Sequence, residues 1–208
     1  MSFWTDGKIE PKKTNRWVIQ FDGVFNGNMY FATKVSRPAV EIANKEHKYL
    51  NHTFNYPGRA SWKPITCTMV DTAGSGEVGD LQNAGINTMG NLMSILAKAG
   101  YIVPDNDAAL NTISKKKAVS ALSGPSGDTS AASAAAANGI VISMVSAEGV
   151  TVEKWTLKNA FISKFTPGEL SYEADDLATV DIEIIYDYCE FQTSVNGDPF
   201  FKPGLPTF

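Results

Sequence analysis

The chain has 208 residues, 43% of them hydrophobic and 19% charged, with a formal net charge of −4. That balance excludes a disordered chain, and the length suits a single domain that buries roughly 70% of its unfolded surface. Mild acidity excludes bulk attraction to nucleic acid or anionic lipid.

The first residues, 1–15, are polar and Lys-rich around Pro11 and are read as an N-terminal arm. They hold no apolar stretch of the kind a signal peptide needs, and no run in the chain nears the roughly 18 apolar residues of a membrane span, so synthesis in a cytoplasm is expected. Trp17, Ile19 and Phe21 then alternate with Val18, Gln20 and Asp22, the period of a half-buried strand. Phe25-Asn26-Gly27-Asn28 predicts a turn, and a second strand follows from Met29 to Val35. Arg37-Pro38 interrupts it, and Val40 and Ile42 resume the extended pattern. Residues 44–58 are polar and aromatic, with His47, Tyr49, His52, Phe54 and Tyr56, and end in the turn signal Pro57-Gly58. They predict a long projecting hairpin of the kind that docks on a partner. Ile65, Cys67 and Met69 share one face of the next strand.

One segment has helical spacing: Ile86, Met89, Leu92, Met93, Leu96 and Ala99, with Asn87 or Thr88 as cap and Gly100 as stop. Residues 104–139 read as an insertion containing Lys115-Lys116-Lys117, a Ser/Gly/Pro stretch and an Ala/Ser-rich run. That run is either a short helix capped by Asp128 and ended by Asn138-Gly139, or a mobile loop. Strands return at Val141, Ser143 and Val145, alternating with Ile142 and Met144; Glu148-Gly149 turns the chain. Trp155, Leu157, Asn159 and Phe161 form one strand face, Pro167-Gly168 is a turn, and Val180, Ile182, Ile184, Tyr186 and Tyr188 line the last strong strand opposite Asp181, Glu183 and Asp187. About seven strands and one helix, over about 86–99, make a mainly β domain: two packed antiparallel sheets, as a sandwich or partial barrel.

Candidate chemistry fails on spacing or context. Gly74-Ser75-Gly76-Glu77-Val78-Gly79 matches G-x-G-x-x-G, but no helix opens at its last Gly and no parallel βαβ unit follows. Asp71-Thr72-Ala73-Gly74 lacks a companion phosphate-binding loop. His47 and His52, the only histidines, are five apart and on a strand would face opposite sides, so no metal site is expected. Asp175-Asp176 are adjacent and point apart, which suits a solvated turn. Lys115–Lys117 lacks interleaved aromatics and is read as a solvated charge run. Cys67 and Cys189 are read as buried reduced thiols, with a single bridge between them left open. The expectation is a non-enzymatic chain with no cofactor.

The C-terminal arm, 192–208, carries Phe200, Phe201, Leu205 and Phe208 on a stretch stiffened by Pro199, Pro203 and Pro206. Prolines bar a helix or a central strand, so these aromatics need a groove, on the same domain or on a neighbouring copy. With Tyr49, His52, Phe54 and Tyr56 they are the candidate subunit-interface residues.

The order of motifs is similar to one family. Arg16-Trp17-Val18-Ile19-Gln20-Phe21, Val35-Ser36-Arg37-Pro38-Ala39-Val40, Lys48-Tyr49-Leu50-Asn51-His52-Thr53, Tyr56-Pro57-Gly58-Arg59-Ala60-Ser61-Trp62-Lys63-Pro64-Ile65, Val152 to Ile162, Leu170-Ser171-Tyr172-Glu173 and Ile184-Ile185-Tyr186-Asp187-Tyr188 resemble the tail tube protein of contractile-tailed (myovirus) bacteriophages. The resemblance spans about 15–103 and 140–191. It implies hexameric rings whose inner strands form a continuous β-barrel, stacked into a tube within a virion tail. It also implies partners among sheath, tape-measure and baseplate proteins, and DNA that passes without specific binding. A neutral or acidic bore would let DNA slide, and Glu41 and Glu148 are candidates to face it. Rival readings are a tube-initiating baseplate protein, the tube of a non-viral contractile injection system, and a carbohydrate-binding β-sandwich module.

Overall fold

A computed structural model describes residues 11–21, 32–73, 87–103, 112–123, 140–173 and 175–193. Ten strands and two helices occur among them: β1 (Trp17–Phe21), β2 (Ala32–Val35), β3 (Val40–Tyr49), β4 (His52–Trp62), β5 (Ile65–Val70), α1 (Thr88–Lys98), α2 (Lys115–Ser123), β6 (Ile140–Val145), β7 (Thr151–Lys158), β8 (Phe161–Pro167), β9 (Thr179–Ile185) and β10 (Tyr188–Gln192). Two four-stranded antiparallel sheets, ordered β1-β6-β7-β10 and β2-β5-β9-β8, face each other, and β3 and β4 form a separate two-stranded ribbon. Neither sheet closes on itself, so the domain is a sandwich.

Alternation explains the core. In the first sheet Phe21, Ile140, Leu157 and Cys189 stand in one row, and Ile19, Ile142, Trp155 and Phe191 in the next. In the second sheet Cys67 and Ile182 pair across β5 and β9, as do Met69 and Val180, and Ile65 and Ile184. Apart from Trp155, which packs against it, and Phe191, whose ring meets Trp155 at 4.2 Å, these side chains merge into one apolar cluster, which the helices join through Leu92, Ile95, Ala121 and Leu122. Cys67 and Cys189 sit on opposite sheets and are both free and buried. Burial pushes each thiol up to about 12, with a nearby carboxylate, Asp181 or Glu190, adding to the shift.

The chain changes sheets four times, and the last two changes lie at neighbouring points. After β7, Asn159 takes φ 54°, a left-handed conformation that asparagine tolerates, and the chain enters β8 in the other sheet. After β9 it returns through Tyr186-Asp187 to β10. The Asp187 amide donates to the Lys158 carbonyl at 3.0 Å. Its carboxylate accepts from Asn159 Nδ2 at 2.8 Å and from Lys115 Nζ at 2.7 Å. One side chain thus ties both crossovers to the start of α2.

The structure departs from the sequence pattern at several positions. Asn159 and Phe161 do not continue the Trp155–Leu157 face, because the φ of Asn159 ends β7. Tyr188 does not extend the Val180–Tyr186 face, because the buried residue of β10 is Cys189, with Phe191 on the same side of the strand. Pro57-Gly58 is no turn: it lies inside β4 beside a bulge where the register slips between Ile42 and Asn44. Gly is needed there, since a Cβ at Gly58 would stand 2.8 Å from the Ala43 carbonyl oxygen. The insertion contributes a helix over Lys115–Ser123; Asp128–Asn138, where a short helix or a mobile loop was expected, lies outside the described residues. Lys115, Lys116 and Lys117 are exposed, as a solvated run would be, and Lys115 also anchors the helix start to Asp187. The α1 stripe is Thr88, Asn91, Leu92, Ile95 and Ala99, while Met93 faces outward. The Asn87 side chain caps this helix by accepting from Gly90 N at 2.7 Å, and Gly100 ends it at φ 105°. Thr88 Oγ1 donates to the Val70 carbonyl at 3.1 Å, which fixes α1 to the end of β5.

Two outcomes are expected. The Lys115 hydrogen bond is the main cause holding the Asp187 carboxyl below its ordinary 3.8. A depressed folded value gives stability that is present above the unfolded value and is lost as pH falls. Asp187→Asn should therefore cost a few tenths to about 1 kcal/mol at pH 7, as for a partly exposed pair, and the gap to wild type should close as pH drops below 3.8 in urea melts. A gap that persists in acid would contradict this role. The two thiols should be silent to a disulfide reagent at pH 8 in the native protein and both react in guanidinium.

Candidate assembly surface

The β3–β4 ribbon stands outside the sandwich. Every residue of β3 is exposed, and the ribbon hydrogen-bonds to no other described strand. Between Asn44 and Tyr49 the register runs without a break: Lys45 opposes Tyr56, His47 opposes Phe54, and Tyr49 opposes His52. Directly opposed residues share a face, so Lys45, His47, Tyr49, His52, Phe54 and Tyr56 line one side. Asn44, Glu46, Lys48, Thr53, Asn55 and Pro57 line the other, where Asn44 Nδ2 donates to Asn55 Oδ1 at 2.9 Å. The ribbon is therefore amphipathic, with an aromatic face open to solvent.

That arrangement gathers four of the expected interface residues. Tyr49, Phe54 and Tyr56 are 63%, 49% and 56% exposed, and the His52 and Phe54 rings lie 6.4 Å apart. It also corrects the expectation for the histidines. The chain reverses at Leu50-Asn51, so His47 and His52 share a face on opposite strands. Among the described residues, no three His, Cys, Asp or Glu side chains group as a metal site would require.

Leu50 was missed by sequence reasoning. It sits at the ribbon tip, 87% exposed, at φ 50°. Left-handed backbone is costly for a bulky residue, and a large apolar side chain in open water gains nothing in the monomer. The signal was the spacing of Tyr49 and His52 around two residues, masked by the stronger Pro57-Gly58 pattern. Of the other expected residues, Glu41 is at the ribbon base, ion-paired with Lys63, and Glu148 is in the exposed turn after β6. Phe200, Phe201, Leu205 and Phe208, and the Gly74–Gly79 loop, lie outside the described residues.

The second sheet carries a polar outer face. Thr66 and Thr68 of β5, Asp181 and Glu183 of β9, Lys34 of β2 and Lys164 of β8 line it, and Thr68 Oγ1 donates to Asp181 at 2.6 Å. Its two lysines and two carboxylates balance.

No known protein family matches the sequence, and no curated protein does. Solved structures match it. The tube-terminating cap of the anti-feeding prophage has a TM-score of 0.56 at 18% identity, over 89% of this chain and 93% of that one. The fold is one found in contractile injection systems. A chain of the PVC sheath–tube complex, from an extracellular contractile injection system, gives 0.52 at 16% identity, over 88% of this chain and 92% of that one. A chain of the PVC sheath/tube terminator gives 0.53 at 16%, over 88% and 98%. At these identities the likeness establishes a common fold.

Leu50→Gly isolates the tip. Relieving the left-handed backbone should stabilise the ribbon of the monomer by about 0.5–1 kcal/mol. Loss of the leucine should weaken self-association, because burying it is worth roughly 1.5–3 kcal/mol. Hydrogen exchange of ribbon amides and sedimentation measure the two effects. Unchanged association would remove Leu50 from the surface.

Proposed function

We propose that this chain is a structural, non-enzymatic subunit of a contractile tail's inner tube: six copies form a ring, and rings stack into a conduit. The observation that carries the reading is the projecting ribbon, whose aromatic face is unburied in a single copy, on a fold found in tube caps and a sheath–tube complex. Such a face has no use in a monomer, and exposed apolar patches mark protein interfaces. Tyr49, Leu50, His52, Phe54 and Tyr56 meet a neighbouring copy, and Phe200, Phe201, Leu205 and Phe208 add further contacts between copies. Among the described strands the sheet edges are β1 and β10 in one sheet and β2 and β8 in the other; these give the ring strands to join, which also removes the hazard of exposed edges.

In this reading the tube belongs to a phage tail, with sheath, tape-measure and baseplate proteins as partners and DNA as cargo. The balanced face of the second sheet suits a bore, because each unpaired Lys or Arg would hold phosphate through counterion release. Glu41, already neutralised by Lys63, and Glu148 belong to the same lining. A second reading, a cap or initiator of a viral or non-viral contractile system, is favoured by the match to a tube-terminating cap.

Negative-stain electron microscopy with light scattering tests both. Hollow tubes support the tube subunit; single rings that never stack support the cap. A strict monomer at high concentration overturns self-assembly and favours a carbohydrate-binding sandwich. Replacing Tyr49 and Phe54 together with serine should leave the circular dichroism unchanged and raise the assembly threshold about 10–100-fold.

A further inference from the structure

The loop joining β8 to β9, residues 168–178, presents its apolar side chains to solvent. Leu170 and Leu177 are 90% and 75% exposed, and Tyr172 is fully exposed. Glu169, Glu173, Asp175 and Asp176 are interleaved with them, and the loop holds no Lys or Arg. Its neck is fixed: the Gly168 amide donates to the Thr179 carbonyl at 2.8 Å, and the Asp71 amide donates to the Ala178 carbonyl at 2.8 Å. Apolar side chains held in water on a fixed neck mark an interaction surface.

A second exposed patch stands at the opposite end of the second sheet, with the opposite charge. Thr179 begins β9 beside the acidic loop, where it pairs with Val70. Helix α1 starts at that end, tied to Val70 through Thr88. It finishes where the Ser114 amide donates to the Ala99 carbonyl at 3.4 Å. Lys115 follows at once and reaches Asp187, beyond the far end of β9. Tyr101, Val103 and Ile113 are exposed around this junction. Lys98, Lys116 and Lys117 are exposed there too, and Lys117 Nζ lies against Gly100, 3.3 Å from where a Cβ would stand. Neither helix contains an Asp or Glu. In a chain of net charge −4, the helix junction is a local excess of positive charge.

We propose that the acidic loop 168–178 of one copy docks on the helix junction of a copy in the next ring, so that rings stack head to tail. The inference rests on the proposed ring. Copies that join through sheet edges hydrogen-bond around the ring, which leaves their strand ends facing along the tube. The loop and the junction both lie at strand ends, so their contact leaves every sheet edge free for the ring. The patches match in kind: Leu170, Tyr172 and Leu177 meet Tyr101, Val103 and Ile113, and carboxylates meet ammonium groups. A contact between two different patches repeats without closing, which builds a stack and not a dimer. Two loops or two junctions brought together would set like charges against each other, which selects the head-to-tail order.

The test is charge exchange in the full chain, read by electron microscopy and sedimentation. One variant, Lys98→Glu with Lys116→Glu and Lys117→Glu, makes both patches acidic. The other, Glu173→Lys with Asp175→Lys and Asp176→Lys, makes both basic. Lys115 is kept because it holds Asp187. All six positions are exposed, so circular dichroism should match wild type. The expected result is single rings from each variant alone and tubes from an equal mixture, in which each acidic patch finds a basic one. Leu170→Ser with Tyr172→Ser tests the same contact without touching a charge, and should raise the concentration at which tubes form about tenfold or more; it decides the matter if a charge variant misfolds, and an unchanged threshold overturns the inference. Either charge variant stacking alone as wild type does overturns it and leaves the tube reading intact. Single rings that mixing does not rescue also overturn it. Folded variants that form no rings give the patches to the ring contact and overturn stacking through them. Wild-type rings that never stack overturn it while keeping the ring, and absence of any assembly by wild type overturns the ring itself.

Discussion

The architecture depends on a double crossover held at one carboxylate. β7 hands the chain to the second sheet through Asn159, and β9 hands it back through Asp187. Asp187 bonds the backbone of Lys158, the side chain of Asn159 and the ammonium of Lys115. Two sheets joined by adjacent crossings are tied together at that point by these bonds. The apolar rows around Leu157, Ile182 and Cys67 then close as one core, and α2 is pinned beside β8. With the sandwich satisfied internally, what is left outside it stands out: an amphipathic ribbon, exposed patches of opposite charge at the two ends of the second sheet, and a balanced polar sheet face.

The same double crossover explains which parts of the fold were legible. Strands β1, β5 and β9 are half-buried, so their period-two alternation is visible in Trp17–Phe21, Ile65–Met69 and Val180–Ile184. The crossovers were invisible because alternation continues through them: Tyr186 and Tyr188 preserve the pattern of Val180–Ile184 although the chain has changed sheets and the inward parity has shifted to Cys189 and Phe191. A sequence pattern records which residues are apolar, not which sheet they enter. The helix of the insertion was hidden because its start, Lys115–Lys117, is charged, and what fixes it is a long-range ion pair to Asp187.

The assembly surface was half legible. Aromatic density between Tyr49 and Tyr56 marked the ribbon as a docking element. Its facing depended on where the chain reverses, and a turn formed by Leu50 at positive φ has none of the Gly or Asn-Gly chemistry that announces a hairpin. Pro57-Gly58, which has that chemistry, serves a bulge instead. Local rules failed at these two positions, the tip and the bend of the ribbon, and departures of that kind collect where a protein binds something else.

The central claim is that the ribbon is exposed in one copy and covered between copies. Hydrogen–deuterium exchange of the full chain, followed by mass spectrometry below and above the assembly concentration, tests it most directly. Amides of residues 44–56 are expected to exchange freely in the dilute protein and to become strongly protected on assembly, while β5 and β9 are protected in both. Ribbon amides that exchange equally fast in both states, in a protein that has assembled, would contradict it.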